Sequence, residues 1–134
     1  MEAILKIEEG TFCPDIVTYR PYSSSHECEG FIITTDAQEI KLGITKDRLC
    51  CESFGYFMSE DDPSEFVGSH LLDVSITDDK LRSHQLVNFE GVAMFVNVET
   101  DRGLLQFVAY NEHNGYYGHD ACVVSNQLNH AVLL

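Results

Sequence analysis

The chain is 134 residues long, which suits one domain with a real core. Eight Lys and Arg stand against 22 Asp and Glu, a formal net charge of −14. A surface so acidic repels nucleic acid and anionic lipid, so direct binding to DNA or RNA is not expected. No apolar run reaches the roughly 20 residues of a membrane helix, and no membrane association is expected.

The opening MEAILKIEEG carries acids where a signal peptide would be basic, so a cytoplasmic location is expected. An odd count of five cysteines fits a reducing compartment better than a disulfide framework.

Alternating Ala3, Leu5 and Ile7 predict a first strand over residues 2–8. Residues 10–29 lack pattern, hold Pro14, Pro21 and three consecutive serines, and read as a loop with a short extended piece at 16–19. Strands are predicted over 31–35 and 39–45, joined by a turn at Thr35–Gln38, with Ile40, Leu42 and Ile44 on one buried face. A further strand is predicted over 48–58, bent or bulged at Gly55.

Asp62, Pro63 and Glu65 sit at N-cap, N1 and N3 of a short helix near 62–67, with Gly68 as its stop. A strand over 71–77 and a polar loop or frayed helical turn over 78–88 follow. Strands over 92–99 and 104–113, turning near Asp101-Arg102-Gly103, form a hairpin. Asn114-Gly115 then predicts a second hairpin into a strand ending near Val124, giving a three-stranded meander. In that register Met94, Val96, Val98, Leu105, Phe107, Ala109, Cys122 and Val124 share a face. The tail NQLNHAVLL is expected to pack back on the core. The fold class is therefore α+β, predominantly antiparallel β, as a twisted sheet or partly open barrel with one short helix, in a single domain.

Three constellations carry chemistry. Cys50, Cys51, His113, His119 and Cys122 are metal-ligand types, but His-x5-His-x2-Cys lies outside the usual zinc spacing. In the predicted hairpin His113 pairs with Tyr116 and His119 with Tyr110, so strand alternation sends the two imidazoles to opposite faces. No cysteine-nucleophile signature and no phosphate-cradling glycine loop is present, so neither catalysis nor a cofactor is implied.

The second constellation is Tyr110, Asn111, His113, Asn114, Tyr116, Tyr117 and His119, a rim of amphipathic contacts at one end of the hairpin. An anionic ligand there would need scarce cations, for which Arg48 and Arg102 are the candidates. The third is the acidic run Glu60, Asp61, Asp62 and Glu65, which would suit a basic host protein as partner.

The motifs Cys50-Cys51-Glu52-Ser53-Phe54-Gly55 and Asn111-Glu112-His113-Asn114-Gly115-Tyr116-Tyr117-Gly118-His119 resemble a family of small phage and bacterial proteins, that of the phage sponges that counter the Thoeris defence system. The resemblance spans about residues 30–124. It implies a β-rich oligomer that sequesters a cyclic ADP-ribose-type signal without cleaving it, with the ligand held where subunits meet. It assigns no individual binding residue.

Overall fold

The computed structural model describes residues 2–13, 27–45, 53–59, 62–82, 92–112 and 120–134. Strands β1 (Glu2–Phe12), β2 (Cys28–Thr35), β3 (Glu39–Thr45) and β4 (Ser53–Met58) come first. A single 3-10 turn at Pro63–Phe66 separates them from β5 (His70–Arg82), β6 (Val92–Thr100), β7 (Gly103–Glu112), β8 (Asp120–Val124) and β9 (Asn129–Leu133). Among the described residues the strands join one antiparallel sheet in the order β4-β7-β6-β5-β1-β2-β3-β8-β9, which is not closed.

β1 joins two half-sheets. Its first residues, Glu2 and Ala3, pair with Leu71 and His70 of β5. A register shift between Ile4 and Lys6 follows, and the strand then pairs with β2 as far as Phe12↔Cys28. The bulge interrupts the expected alternation: Ile4 is fully buried while Leu5 is 55% exposed, and beyond it Ile7 packs against the core as expected. An extra residue in one strand re-aims the side chains beside it.

The core draws on both halves. Met94, Val96, Val98, Leu105, Phe107 and Ala109 come from β6 and β7, and Ile33, Ile40, Leu42, Ile44, Ala121 and Val123 from β2, β3 and β8. For these to form one cluster the sheet must bend over itself, so that inner faces meet. Phe31 of β2 packs edge-on against Tyr56 of β4 at 5.6 Å and Phe107 of β7 at 6.3 Å. Edge-to-face contacts satisfy the ring quadrupoles as well as burying area.

The predicted faces of β3, β6 and β7 stand as expected: Ile40, Leu42, Ile44, Met94, Val96, Val98, Leu105, Phe107 and Ala109 are wholly inaccessible. The tail forms β9 against β8, and Leu134 is buried in the core.

Other expectations are corrected. The short helix is only the 3-10 turn, although its start is as predicted: the Asp62 carboxylate accepts from the Ser64 N–H and Pro63 follows it. Gly68 takes φ +92° and its N–H donates to the Ile4 carbonyl at 2.8 Å. Gly10–Phe12 and Cys28–Glu29 belong to strands rather than to a loop. The polar residues 78–82 extend β5, whose ladder with β6 shifts register between Ile76 and Asp78 and again between Asp78 and Leu81. Bulges break the two-residue period on which a strand reading depends. Gly55 lies in an unbroken ladder opposite Tyr110, not at a bend.

The largest correction concerns the meander. The 92–100/103–112 hairpin forms, but β8 does not pair with β7. β4 takes that side of β7, and β8 lies between β3 and β9. Each choice feeds the core: β4 brings Tyr56 and Met58 beside Phe107 and packs Phe54 against the same cluster, and β8 brings Ala121 and Val123 beside Leu42 and Ile44. Cys122 consequently faces away from the main core, the reverse of the predicted register, and packs with Phe12 and Cys28. The 16–19 piece and the Asn114-Gly115 turn fall outside the described residues.

Candidate functional site

Tyr110 is the one member of the predicted rim that the described structure places on the outer face of the sheet. Its neighbours across the ladder are Gly55 of β4 and Ala93 of β6, not His119. A Cβ built on Gly55 would lie 2.9 Å from the Tyr110 hydroxyl, so the phenol lies across a position kept clear by glycine. Phe57, two residues further along β4 and 51% exposed, packs beside it with ring centroids 6.2 Å apart and planes at 49°. The pair forms an aromatic surface at the end of β7 where the Asn111–His119 motif begins. Sequence reasoning missed Phe57, because only its pairing partner shows which aromatic of Phe54, Tyr56 and Phe57 faces out.

Asn111 points the other way. It is wholly buried, and its Nδ2 donates to the Leu134 carbonyl at 3.3 Å, tying the end of β7 to the end of the chain. His113, Asn114, Tyr116, Tyr117 and His119 lie outside the described residues, as do Arg48, Cys50, Cys51, Glu60 and Asp61.

Arg102 is at the far end of β7, in the turn before Gly103. Tyr110 lies eight residues further along the chain, roughly 27 Å at about 3.4 Å per residue. Its Nη1 donates to the carbonyls of Glu65 at 2.8 Å and Val67 at 3.1 Å. The guanidinium thus braces the 3-10 turn, and the structure does not bring it to the aromatic pair. Asp62 and Glu65, both exposed, belong to this second end; the Asp62 carboxylate is engaged in capping.

The same end carries a contact not anticipated from sequence. His70 Nδ1 lies 2.8 Å from Asp101 Oδ2, and the His70 N–H donates to Asp101 Oδ1 at 2.9 Å. The backbone N–H chiefly, then the ring, holds the Asp101 carboxyl below its ordinary value. The two residues are 31 apart in sequence, and nothing in their local pattern announces the pair.

Of the candidate metal ligands only Cys122 is described. It is buried, with its Sγ 3.7 Å from that of Cys28. Among the described residues no three His, Cys, Asp or Glu side chains gather as a metal site, and no helix is long and apolar enough to cross a membrane.

Fold and site together define an open, bent, all-antiparallel β protein with an aromatic surface at one end and a braced polar turn at the other. Residues 3–123 match the family described as Domain of unknown function (DUF7448), and the chain belongs to that family. No curated protein and no solved structure matches it.

Proposed function

We propose that the protein is a phage-encoded, non-enzymatic antagonist of host defence that binds and sequesters a cyclic ADP-ribose-type nucleotide in the host cytoplasm, acting as a homo-oligomer. The observation that carries this reading is the Phe57–Tyr110 pair, with Phe57 exposed and Tyr110 half-buried beside it, at the root of the Asn111–His119 motif. An adenine ring is planar and apolar on its faces, and it stacks on such a surface. The motif resemblance supplies the ligand class. The net charge of −14 opposes an anionic ligand at long range, so the site draws its affinity from stacking and from short-range donors.

Calorimetry with cyclic ADP-ribose isomers tests the reading. Saturable binding is expected, weakened about tenfold or more by Phe57→Ala, a loss of about 1.4 kcal/mol. The ligand should be recovered chemically unchanged after release. No heat at micromolar protein, or a hydrolysed ligand, overturns it.

A further inference from the structure

Strand β4 ends the sheet, with β7 on one side and no strand on the other among the described residues. The Ser59 N–H donates to the Gln106 carbonyl at 2.9 Å, and the ladder runs unbroken from Met58↔Phe107 to Ser53↔Glu112. Alternation along that ladder turns the backbone N–H and C=O of Tyr56 and Met58 away from β7, toward the edge. Such an edge is a template for a further strand, and folded proteins guard it with charges, prolines or bulges. The other strands with an open side are guarded. β5 beyond Leu71 carries Asp73, Asp78, Asp79, Lys80 and Arg82, and its ladder is broken by register shifts. β1 beyond Ile4 carries Lys6, Glu8 and Glu9, and β9 carries His130. β4, SFGYFM, has no acid, base, proline or bulge.

We propose that β4 is where a second copy of this chain joins, its own β4 added antiparallel across a two-fold axis through Tyr56. A two-fold joint needs an edge that complements itself. Centred on Tyr56, the pairing sets Phe54 opposite Met58, and Gly55 opposite Phe57 of the second copy. The second match is steric. Phe57 is 51% exposed in the single chain, and Gly55 is a bare position overlain by the Tyr110 phenol. Each Phe57 ring, already packed on its own Tyr110 at 6.2 Å, thereby reaches the Tyr110 of the other copy, and four rings form one surface. Charge selects the same place. Chains of net charge −14 repel one another, and along β4 two backbones meet with no carboxylate on either strand. The inference rests on the homo-oligomer of the proposed function, and makes its stacking surface a property of two chains.

Sedimentation of the full chain without nucleotide tests it. At about 100 μM, within reach of a small interface, a species of twice the chain mass is expected. Phe57→Lys should return it to the monomer. That change lowers the net negative charge, so added repulsion between chains is not the cause. Leu104→Lys, at a site 48% exposed on the same face but at the far end of β7, should leave the dimer intact. Exchange of the Tyr56 and Met58 amides should slow about tenfold or more from dilute to concentrated chain, and should not depend on concentration in Phe57→Lys. A monomer at the higher concentration, a dimer that survives Phe57→Lys, equal loss in Leu104→Lys, or concentration-independent exchange in the natural chain overturns the joint. The ligand is judged separately. A monomer that binds cyclic ADP-ribose isomers sinks the joint alone, and a dimer that behaves as described but binds none sinks the nucleotide reading alone.

Discussion

Close approach governs the residue scale more than side-chain size does. A Cβ on Gly30 would fall 1.8 Å from the Leu42 carbonyl oxygen, a backbone atom of the neighbouring strand that cannot yield. A Cβ on Gly10 would meet only the tip of Ile32, at 3.2 Å. Gly30→Ala should therefore cost about 3 kcal/mol or more, or prevent folding, and Gly10→Ala less than about 1 kcal/mol, by urea denaturation. Similar losses at both positions would show that the β2–β3 approach is not the constraint. Tyr56 supplies a residue-scale pH dependence. Burial, and then the hydrogen bond its hydroxyl donates to Glu9 at 3.0 Å, push its phenol up from 10.0 to about 12. The unfolded chain loses that proton first. The stability it supplies is complete below pH 10 and is lost as pH rises through 12. Between pH 9 and 11 the natural chain should lose more stability than Tyr56→Phe, and parallel losses would remove Tyr56 as the cause.

At the scale of single elements, legibility depended on whether a strand's partner was its neighbour in sequence. Ile40, Leu42 and Ile44 alternate cleanly, and so do the residues of β6 and β7, whose tight turn at Asp101-Arg102 fixes their register. β8 was read against the wrong partner. The Asn-Gly signal is local, whereas β4 competes for the same edge of β7 through six ladder pairs, Ser53↔Glu112 to Met58↔Phe107. Exchanging the partner inverted the strand, because a one-residue change of phase turns every side chain over. Val123 is consequently the core residue and Val124 the half-buried one. Val123→Asp should cost several kcal/mol, on the order of 3 or more, and Val124→Asp about 1. Equal cost in thermal unfolding would contradict the β3–β8 register. The candidate site was half legible for the same reason. Tyr110 was visible as an aromatic in a strand, and alternation after Leu105, Phe107 and Ala109 already points Asn111 inward, but the sequence offers nothing to place Phe57 beside Tyr110. That placing depends on a ladder between residues about fifty positions apart.

The whole molecule turns on β1, which composition and periodicity show only as a short strand. Its eleven residues hold β5 at one end and β2 along the rest, across a bulge that no local pattern encodes. A sheet continuous through one bulged strand could act as two loosely joined halves, each with its own stability. The packing argues otherwise: Met94 and Val96 from one half and Ile33 and Leu42 from the other lie in one cluster, and the Phe31 ring meets Tyr56 and Phe107 edge-on. Neither half can keep its inner face dry when the other leaves, so the halves must open together. Met94→Ala and Ile33→Ala should each cost about 2–5 kcal/mol. Each should shift the midpoint of the same single urea transition, with an unchanged slope, because the surface exposed on unfolding is that of the whole chain in both cases. Amide exchange should likewise give β3 and β6 one common opening free energy. If Ile33→Ala instead produced a second transition in which the amides of β6 stayed protected, the half-sheets would be separate folding units, and β1 would be a tether between them rather than the strand that unites them.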